Sequence, residues 1–169
     1  FQMLAQQNVA VLNEAGATRI VVTCAHCFNA LRNEYPQVGG HYDVIHHTTL
    51  LSQLVAEHRL VPVSPVATSV TYHDPCYLGR HNGEFDAPRT VLGRVAKDAL
   101  LEFPLHREKS MCCGAGGARM WMEEHIGTRI NVARVEQGLA QQPHVIATAC
   151  PYCSVMLGDG LKSKNLNET

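Results

Sequence analysis

Short apolar runs alternate with amphipathic segments along most of the chain. Five runs of β-branched or other apolar residues have the length of strands and lie at residues 18–23, 42–46, 69–73, 100–103 and 144–148. Helix-forming segments lie between and around them at residues 1–15, 28–35, 48–58, 86–97 and 119–140, and a short helix follows the last strand. Because strands alternate with helices, the pattern predicts an α/β fold with a Rossmann-like parallel sheet.

Several residues predict where these elements begin and end. Gly16 is suited to the left-handed position that follows a helix. Thr48 and Asp86 belong to the residue types that cap helix N-termini, so we expect helices to start there. The segment 59–67 contains two prolines and predicts a connector, while the glycines of residues 111–117 predict a loop.

Cysteines follow three of the predicted strands. Cys24, Cys76 and Cys150 each come at or just after the carboxyl end of a strand. In open α/β sheets the carboxyl ends of the strands form the edge where ligands bind. We therefore expect cysteines that are distant in sequence to meet at one edge of the sheet.

Five of the seven cysteines form one array of candidate metal ligands. They are Cys76, the adjacent pair Cys112 and Cys113, and the Cys-Pro-Tyr-Cys segment of Cys150 and Cys153. A tetrahedral zinc ion takes four ligands, and side chains of adjacent residues usually diverge. Adjacent thiolates suit a polynuclear iron–sulfur centre better, because they can reach different irons. The array therefore predicts a redox centre that carries electrons.

Residues beside the array are candidate contacts of the cofactor. Gly114, Gly116 and Gly117 would let the backbone approach an inorganic core, with N–H groups directed at sulfur. Arg119 follows at the predicted start of the next helix, where a negative cluster is favoured. His73 could donate a hydrogen bond to a ligand sulfur, or could simply end a strand next to a turn.

A second, shorter cysteine motif indicates an internal repeat. The segments TRIVVTCAHC and HVIATACPYC share an apolar strand, a threonine and a cysteine pair, and Asn-Val-Ala precedes each of them in a helix. Cys24 and Cys27 form the first pair, with His26 between them as a further candidate ligand. We expect residues 1–60 to be the C-terminal half of one unit and residues 61–169 to be a complete second unit.

Charge and composition narrow the class of protein. The formal net charge of −1 gives no reason to expect a basic surface for nucleic acid. An odd count of 7 cysteines argues against a disulfide framework and favours a reducing, cytoplasmic compartment. No apolar run is long enough to span a membrane. The chain opens at Phe1 within a predicted helix, so we expect it to be a piece of a longer protein.

The cysteine array resembles the cysteine-rich CCG domain of the heterodisulfide reductase superfamily. The segments VTCAHCFNALRNEYP, VTYHDPCYLGRHNG and MCCGAGGARMWMEE are most similar to the bacterial iron–sulfur oxidoreductases linked to electron-transfer flavoprotein and quinone. The resemblance implies an enzyme in which the five cysteines bind a non-cubane [4Fe-4S] cluster. It also implies that Cys24 and Cys27 are the last two ligands of a first unit, whose other ligands this sequence lacks.

The resemblance further implies partners and a location. The electron donor would be electron-transfer flavoprotein or another flavoprotein dehydrogenase, and the acceptor quinone, reached through a membrane part. The parent protein would then be attached to the inner face of the cell membrane. The isolated piece could self-associate through apolar surface that another segment normally covers.

Several other functions remain open from the sequence. The chain could be a heterodisulfide reductase-like subunit, or an iron–sulfur subunit of a lactate or glycolate oxidase system. It could also be a zinc-binding structural module, or an iron protein that takes up zinc when the piece is produced recombinantly. Finally, Cys150 and Cys153 could form a thiol-redox site, although this leaves Cys76 and the adjacent cysteine pair unexplained.

Overall fold

A computed structural model describes residues 1–64, 66, 68–96 and 100–166 of the chain. Within these residues the α-helices are Gln2–Glu14 (α1), Ala25–Asn29 (α2), His47–Ala56 (α3), Asp86–Val95 (α4), Ile130–Leu139 (α5) and Pro151–Lys162 (α6). The strands are Arg19–Val22 (β1), Asp43–His46 (β2), Val70–His73 (β3), Leu101–Glu102 (β4) and Val145–Thr148 (β5). All five predicted strands are therefore present, in the predicted order.

The strands pair only in parallel, which confirms the α/β class. They form two small sheets: β1 pairs with β2, and β3 lies between β4 and β5. In the second sheet His73 pairs with Thr148, so the carboxyl ends of β3 and β5 lie side by side. The segments that carry Cys76 and Cys150 leave the sheet at this shared edge.

One hydrophobic cluster joins the two sheets. It contains Val22 and Phe28 from the N-terminal part, Tyr72 and Leu78 from the second sheet and the segment after it, and three of the cysteines. Because both parts contribute to this cluster, they bury apolar surface against each other. The boundary near residue 60 between two repeat units stays a prediction.

The long helix predicted over residues 119–140 is wrong. Residues Arg119–Trp121 form one turn of 3-10 helix, and the α-helix begins only at Ile130. Ala118 and Gly127 have φ angles of +61° and +68°, which a right-handed helix cannot contain. The composition of the segment favours a helix, but these two backbone positions divide it.

Other helices begin at residues different from those predicted. His46 rather than Thr48 caps α3, and its ring accepts a hydrogen bond from the Thr48 N–H. Asp86 is the first residue of α4 and not its cap. The predicted end of α4 near Lys97 and the second proline of the connector, Pro65, lie outside the described residues.

The helix predicted over residues 28–35 begins earlier and changes its type. It starts at Ala25, inside the first cysteine pair, then continues as a π-helix over Ala30–Glu34 and a 3-10 helix over Tyr35–Val38. Among the described helices, none combines the length and apolarity required to cross a bilayer. The outer face of α1 exposes Met3 and Val11, and the self-association expected from such surface stays a prediction.

Candidate metal centre

Both Cys-x-x-Cys segments have the same local structure. Cys24 and Cys150 have extended backbones, occupy the N-cap positions of α2 and α6, and follow β1 and β5 closely. Cys27 and Cys153 lie one turn later, so both thiols of each pair face the N-terminus of a helix. Free N–H groups and the helix dipole favour negative charge at this place.

The five thiols of the predicted array lie next to one another. Electrostatic and hydrogen-bond interactions link their sulfurs in the order Cys76, Cys112, Cys113, Cys153 and Cys150. The last three of these are buried, whereas Cys76 and Cys112 are partly exposed. Three separated stretches of sequence therefore contribute sulfurs to one group, at the edge of the sheet where they were expected to meet.

These contacts alternate the acidity of the thiols. Hydrogen bonds from Cys113 and Cys76 hold the pKa of Cys112 far below its usual range, and the same contact with Cys112 raises the pKa of Cys76. Hydrogen bonding from Cys153 lowers the pKa of Cys150 to about 4, while the contact with Cys112 raises the pKa of Cys113 to about 11. In the metal-free protein, thiolates thus alternate with thiols. Metal binding would replace the remaining protons, as it does at other thiolate sites.

The glycine-rich loop directs backbone N–H groups at the sulfurs. Gly114 N–H donates to Cys112 Sγ over 3.3 Å, and the Gly116 N–H also favours the Cys112 thiolate. The Ala115 N–H acts in the same way on Cys113. The loop therefore supplies three donors to two adjacent sulfurs. The roles of Gly114, Gly116 and Gly117 in cofactor binding stay predictions.

Gly114 holds this loop against two helices. Its φ angle is +94°, and a Cβ atom there would lie 3.2 Å from Asn131 N, 3.2 Å from Ile130 Cβ and 3.3 Å from Met156 Cε. Only glycine combines this backbone conformation with so close an approach at no steric cost. The close contact brings the adjacent cysteines to the N-terminal end of α5 and the side of α6.

A buried ion pair fixes the strand end before Cys76. Asp74 accepts two hydrogen bonds of 2.8 Å from Arg89, and its Oδ2 also accepts from the Arg107 N–H over 2.8 Å. Arg89 in turn binds Glu102 of β4. Burial alone would raise the pKa of Asp74, but these donors keep it below its usual value. Asp74 is thus a charged brace for the turn that presents Cys76.

The first cysteine pair has fewer neighbours that could bind a metal. Cys27 is exposed, and desolvation raises the pKa of Cys24. His26 Nδ1 lies 4.0 Å from Cys24 Sγ and 3.8 Å from Cys150 Sγ, so this ring bridges the two pairs. Ligand atoms of Cys24, His26 and Cys150 all lie within 4.8 Å of one another. A groove next to them is lined mainly by apolar side chains, including Met120 and Tyr152.

His73 is buried directly behind the five sulfurs. One of its ring nitrogens lies within 4.8 Å of the sulfurs of Cys113 and Cys153. Its Nδ1 accepts a hydrogen bond of 2.9 Å from Nε of Arg134. Desolvation, assisted by the Arg134 charge, lowers the pKa of His73 to about 3, so the ring is neutral at physiological pH. The predicted role of His73 as a cofactor contact is compatible with this position.

Arg119 does not share this arrangement. Its guanidinium group pairs with Glu124, and its side chain is 52% exposed. Within the described residues, no hydrogen bond or ion pair joins Arg119 to the sulfurs. The segment turns away after one 3-10 turn, because the helix expected to start there does not form. The predicted contact of Arg119 with a cofactor therefore has no support from its surroundings.

Arg134, which is fully buried in α5, was not predicted from the sequence. A signal for it was available, because Asn131, Arg134, Val135 and Gly138 follow the three- and four-residue spacing of one helix face, and all four are buried. An arginine on the apolar face of a helix requires hydrogen-bond partners inside the protein. The sequence did not reveal which partners these are.

The donor set fits a polynuclear iron–sulfur group better than a single ion. Five thiols exceed the four ligands of a tetrahedral zinc site, and adjacent Cys112 and Cys113 both take part. Backbone N–H groups aimed at sulfur, together with burial, are the features by which proteins tune iron–sulfur clusters. The arrangement can hold a cluster and shield one side of it from water.

Comparisons with known proteins agree with this chemistry. The family model "CCG: Cysteine-rich domain" matches residues 1–32 and 70–158. The chain is 46% identical to the "Probable iron-sulfur-binding oxidoreductase FadF" of Bacillus subtilis and 44% identical to the "EtfAB:quinone oxidoreductase" of Syntrophomonas wolfei. These alignments cover 99% and 100% of this chain but only 24% of each relative.

An archaeal relative is similar over almost the same length. The chain is 35% identical to one subunit of the dihydromethanophenazine:CoB–CoM heterodisulfide reductase of Methanosarcina barkeri, over 93% of this chain and 39% of that subunit. All three relatives are named as oxidoreductases or reductases. The chain spans well under half the length of each of them.

Proposed function

Because the chain belongs to the family of the CCG cysteine-rich domain, we propose that it is an electron-transfer module of an iron–sulfur oxidoreductase. In this proposal Cys76, Cys112, Cys113, Cys150 and Cys153 hold a non-cubane [4Fe-4S] cluster. The observation that carries the proposal is the contact between these five sulfurs, three of which are buried. When bound, such a cluster accepts and releases single electrons.

The chain's own groups would set the environment of the electron. N–H groups of Gly114 and Gly116 stabilise negative charge on Cys112, and the N-terminus of α6 does so on Cys150. Tyr72 and Leu78 exclude water from the inner side of the site. The outer side, near Cys76 and Cys112, is partly open and is the natural side for electron exchange with a partner.

For the partners, we propose a reduced electron-transfer flavoprotein as donor and quinone as final acceptor. The relative named EtfAB:quinone oxidoreductase supports this choice, since it is 44% identical to the chain. Because quinone dissolves in membranes, the parent protein would work at the inner face of the cell membrane. Reduction of a bound heterodisulfide is the second candidate, supported by the heterodisulfide reductase relative at 35% identity.

Cys24 and Cys27 have a separate place in this proposal. They would be the final ligands of a first cluster whose other ligands lie outside this sequence. His26 lies between Cys24 and Cys150 and would then separate two metal centres. A zinc ion held by Cys24, His26 and Cys150 is the competing use of the same atoms, since zinc favours sulfur and nitrogen donors.

A thiol-redox function at Cys150 and Cys153 is not favoured by the structure. The low pKa of Cys150, about 4, would suit a nucleophile. Both sulfurs are buried, however, with residue exposures of 3% and 2%. An external disulfide would need an exposed attacking thiolate, so these two groups suit ligation better than thiol exchange.

The proposal is tested by anaerobic reconstitution with iron and sulfide, followed by metal and sulfide analysis and low-temperature electron paramagnetic resonance. We expect about four iron and four sulfide ions per chain and a paramagnetic signal in one oxidation state. Zinc in native protein without acid-labile sulfide would contradict the proposal. Rapid mixing with reduced electron-transfer flavoprotein, or with a heterodisulfide after chemical reduction, would then distinguish the two sets of partners.

A further inference from the structure

We propose that Arg134 and His73 form a positioning pair that fixes an N–H donor on the cluster sulfurs and raises the reduction potential of the centre. The inference rests on the proposed function, because it concerns how the protein tunes the cluster. It concerns two residues behind the sulfurs, neither of which would bind metal. Arg134 acts through His73 and through its own buried charge.

Arg134 is held in one orientation by a complete set of neutral partners. Its guanidinium group donates to His73 Nδ1 over 2.9 Å, to Leu105 O over 3.0 Å, to Gln137 Oε1 over 2.8 Å and to Ser110 Oγ over 3.2 Å. It also lies over the ring of Phe103, 3.8 Å from the centroid. The arginine has a relative exposure of 0%, so water takes no part in holding it.

The contact with Arg134 determines the tautomer of His73. A guanidinium group only donates hydrogen bonds, so Nδ1 of His73 must be the acceptor and cannot carry the proton. In a neutral ring the proton must then be on Nε2. That nitrogen is buried and has no hydrogen-bond partner among the described residues. The sulfurs of Cys113 and Cys153 lie within 4.8 Å of a nitrogen of this ring.

This tautomer makes His73 a donor to thiolate and not a metal ligand. A ligating imidazole nitrogen must be free of its proton, and the only proton-free nitrogen of His73 is already bound to Arg134. The Nε2–H group instead suits the negative sulfur of a thiolate. Hydrogen bonds to the sulfurs are among the means by which proteins set cluster potentials.

The charge of Arg134 acts in the same direction. In the described part of the chain no carboxylate forms an ion pair with it, although Asp74, Cys153 and Cys113 all favour its charged form. A buried cation beside thiolates stabilises negative charge, and reduction by one electron adds one negative charge to the centre. Arg134 therefore favours the reduced state of the bound cluster.

The test compares the midpoint potential of the reconstituted chain with those of Arg134→Met and Arg80→Met. Arg80 is the matched control, because this exposed arginine donates to the carbonyl of Ser110, while Arg134 donates to the hydroxyl of the same residue. We expect Arg134→Met to lower the equilibrium constant for reduction by about tenfold or more, which is about 59 mV for one electron. Arg80→Met should change it far less, and Arg134→Lys should restore part of the loss. Equal potentials in all four proteins would overturn the proposal.

A second measurement does not depend on the cluster or on the stability of the Arg134 variants. Nitrogen-15 NMR of the metal-free, reduced wild-type chain identifies which ring nitrogen of His73 carries the proton. A proton on Nε2 supports the pair, and a proton on Nδ1 overturns it. His73→Gln keeps an N–H donor and His73→Leu removes it, so the former should have the higher potential. If the wild type binds no cluster, the proposed function fails, while the tautomer still decides whether the pair exists.

Discussion

The two Cys-x-x-Cys segments share one local structure and differ in everything that surrounds it. Each follows a parallel strand, places its first cysteine at a helix N-cap and its second cysteine one turn later. The second pair is buried and touches Cys113 and, through it, the rest of the array. The first pair has an exposed Cys27 and only His26 and Cys150 as potential ligand neighbours among the described residues.

The difference shows which part of the sequence makes a metal centre. The strand, the cysteine pair and the following helix create a place that favours thiolates, but they supply only two sulfurs. The remaining three come from the end of β3 and from the glycine-rich loop, which are distant in sequence. A segment with the same local design but without these contacts stays a pair of thiols.

The largest expected difference between the two pairs concerns iron content. Replacement of Cys113 by serine should remove most iron and sulfide, because Cys113 connects the adjacent pair to Cys153. Replacement of Cys24 by serine in the same chain should leave the content close to wild type. The loss at Cys113 should exceed the roughly 10- to 100-fold drop in affinity typical of outer partners of metal sites. Equal iron content in the two variants would show that the array is not the binding site.

A second difference concerns the ion pairs next to the two sheets. Asp74 and Arg89 have side-chain exposures of 3% and 10%, whereas those of Asp43 and Arg19 are 58% and 68%. We expect Asp74→Asn to lower the free energy of unfolding by about 3–5 kcal/mol, since it leaves a buried arginine with less countercharge. Asp43→Asn should cost at most about 1 kcal/mol. Urea unfolding of both variants measures the difference.

The Asp74 effect should also depend on pH in a defined direction. Because folding lowers the pKa of Asp74, its stabilisation is fully present above the unfolded pKa and is lost as the pH falls through the folded value. The advantage of the wild type over Asp74→Asn should therefore be constant near neutral pH and shrink below about pH 4. An advantage that grows on acidification would show that Asp74 is not held as a carboxylate.

A third difference concerns two glycines with positive φ. Gly16, before β1, has a φ of +65° and no heavy atom within 4 Å of the place where a Cβ would lie, whereas Gly114 is at +94° with three atoms at 3.2–3.3 Å. Gly114→Ala should cost about 2–3 kcal/mol, at the upper end of ordinary backbone strain. Gly16→Ala should cost about 1 kcal/mol. Equal losses in thermal unfolding would mean that the loop is not packed as described.

The smallest expected difference concerns the repeated asparagines. Asn131 of α5 donates from a buried position to Met156 O over 3.0 Å, and Asn8 of α1 donates to the Tyr35 hydroxyl over 2.8 Å from a more open place. Asn131→Ala should cost about 1–2 kcal/mol, because a buried carbonyl loses its donor, and Asn8→Ala about 0.5 kcal/mol. Chemical denaturation of the two variants would reveal the reverse order if burial were not the cause.

Much of the fold could be predicted from the sequence, because the strands are short apolar runs at clear intervals. The shared edge of β3 and β5 followed from the parallel class, and with it the meeting of Cys76 and Cys150. The break in the helix predicted over residues 119–140 could not be foreseen. It depends on positive φ angles at Ala118 and Gly127, which residue composition does not reveal.

The candidate centre divides in the same way. The cysteines and the glycine-rich loop are visible as a pattern of residue types at fixed positions. The pairing of Arg134 with His73 is not visible, because the two residues are 61 positions apart and meet only through the packing of α5 against the second sheet. Contacts between buried polar groups depend on long-range geometry, and a single sequence carries little information on them.

The central claim is that one cluster is held by the five sulfurs and not by the first cysteine pair. Diffraction from anaerobically reconstituted crystals, recorded on both sides of the iron absorption edge, locates iron directly. The account predicts anomalous peaks bounded by the sulfurs of Cys76, Cys112, Cys113, Cys150 and Cys153. Iron confined to Cys24 and Cys27, or the absence of iron from the five-sulfur group, would contradict it.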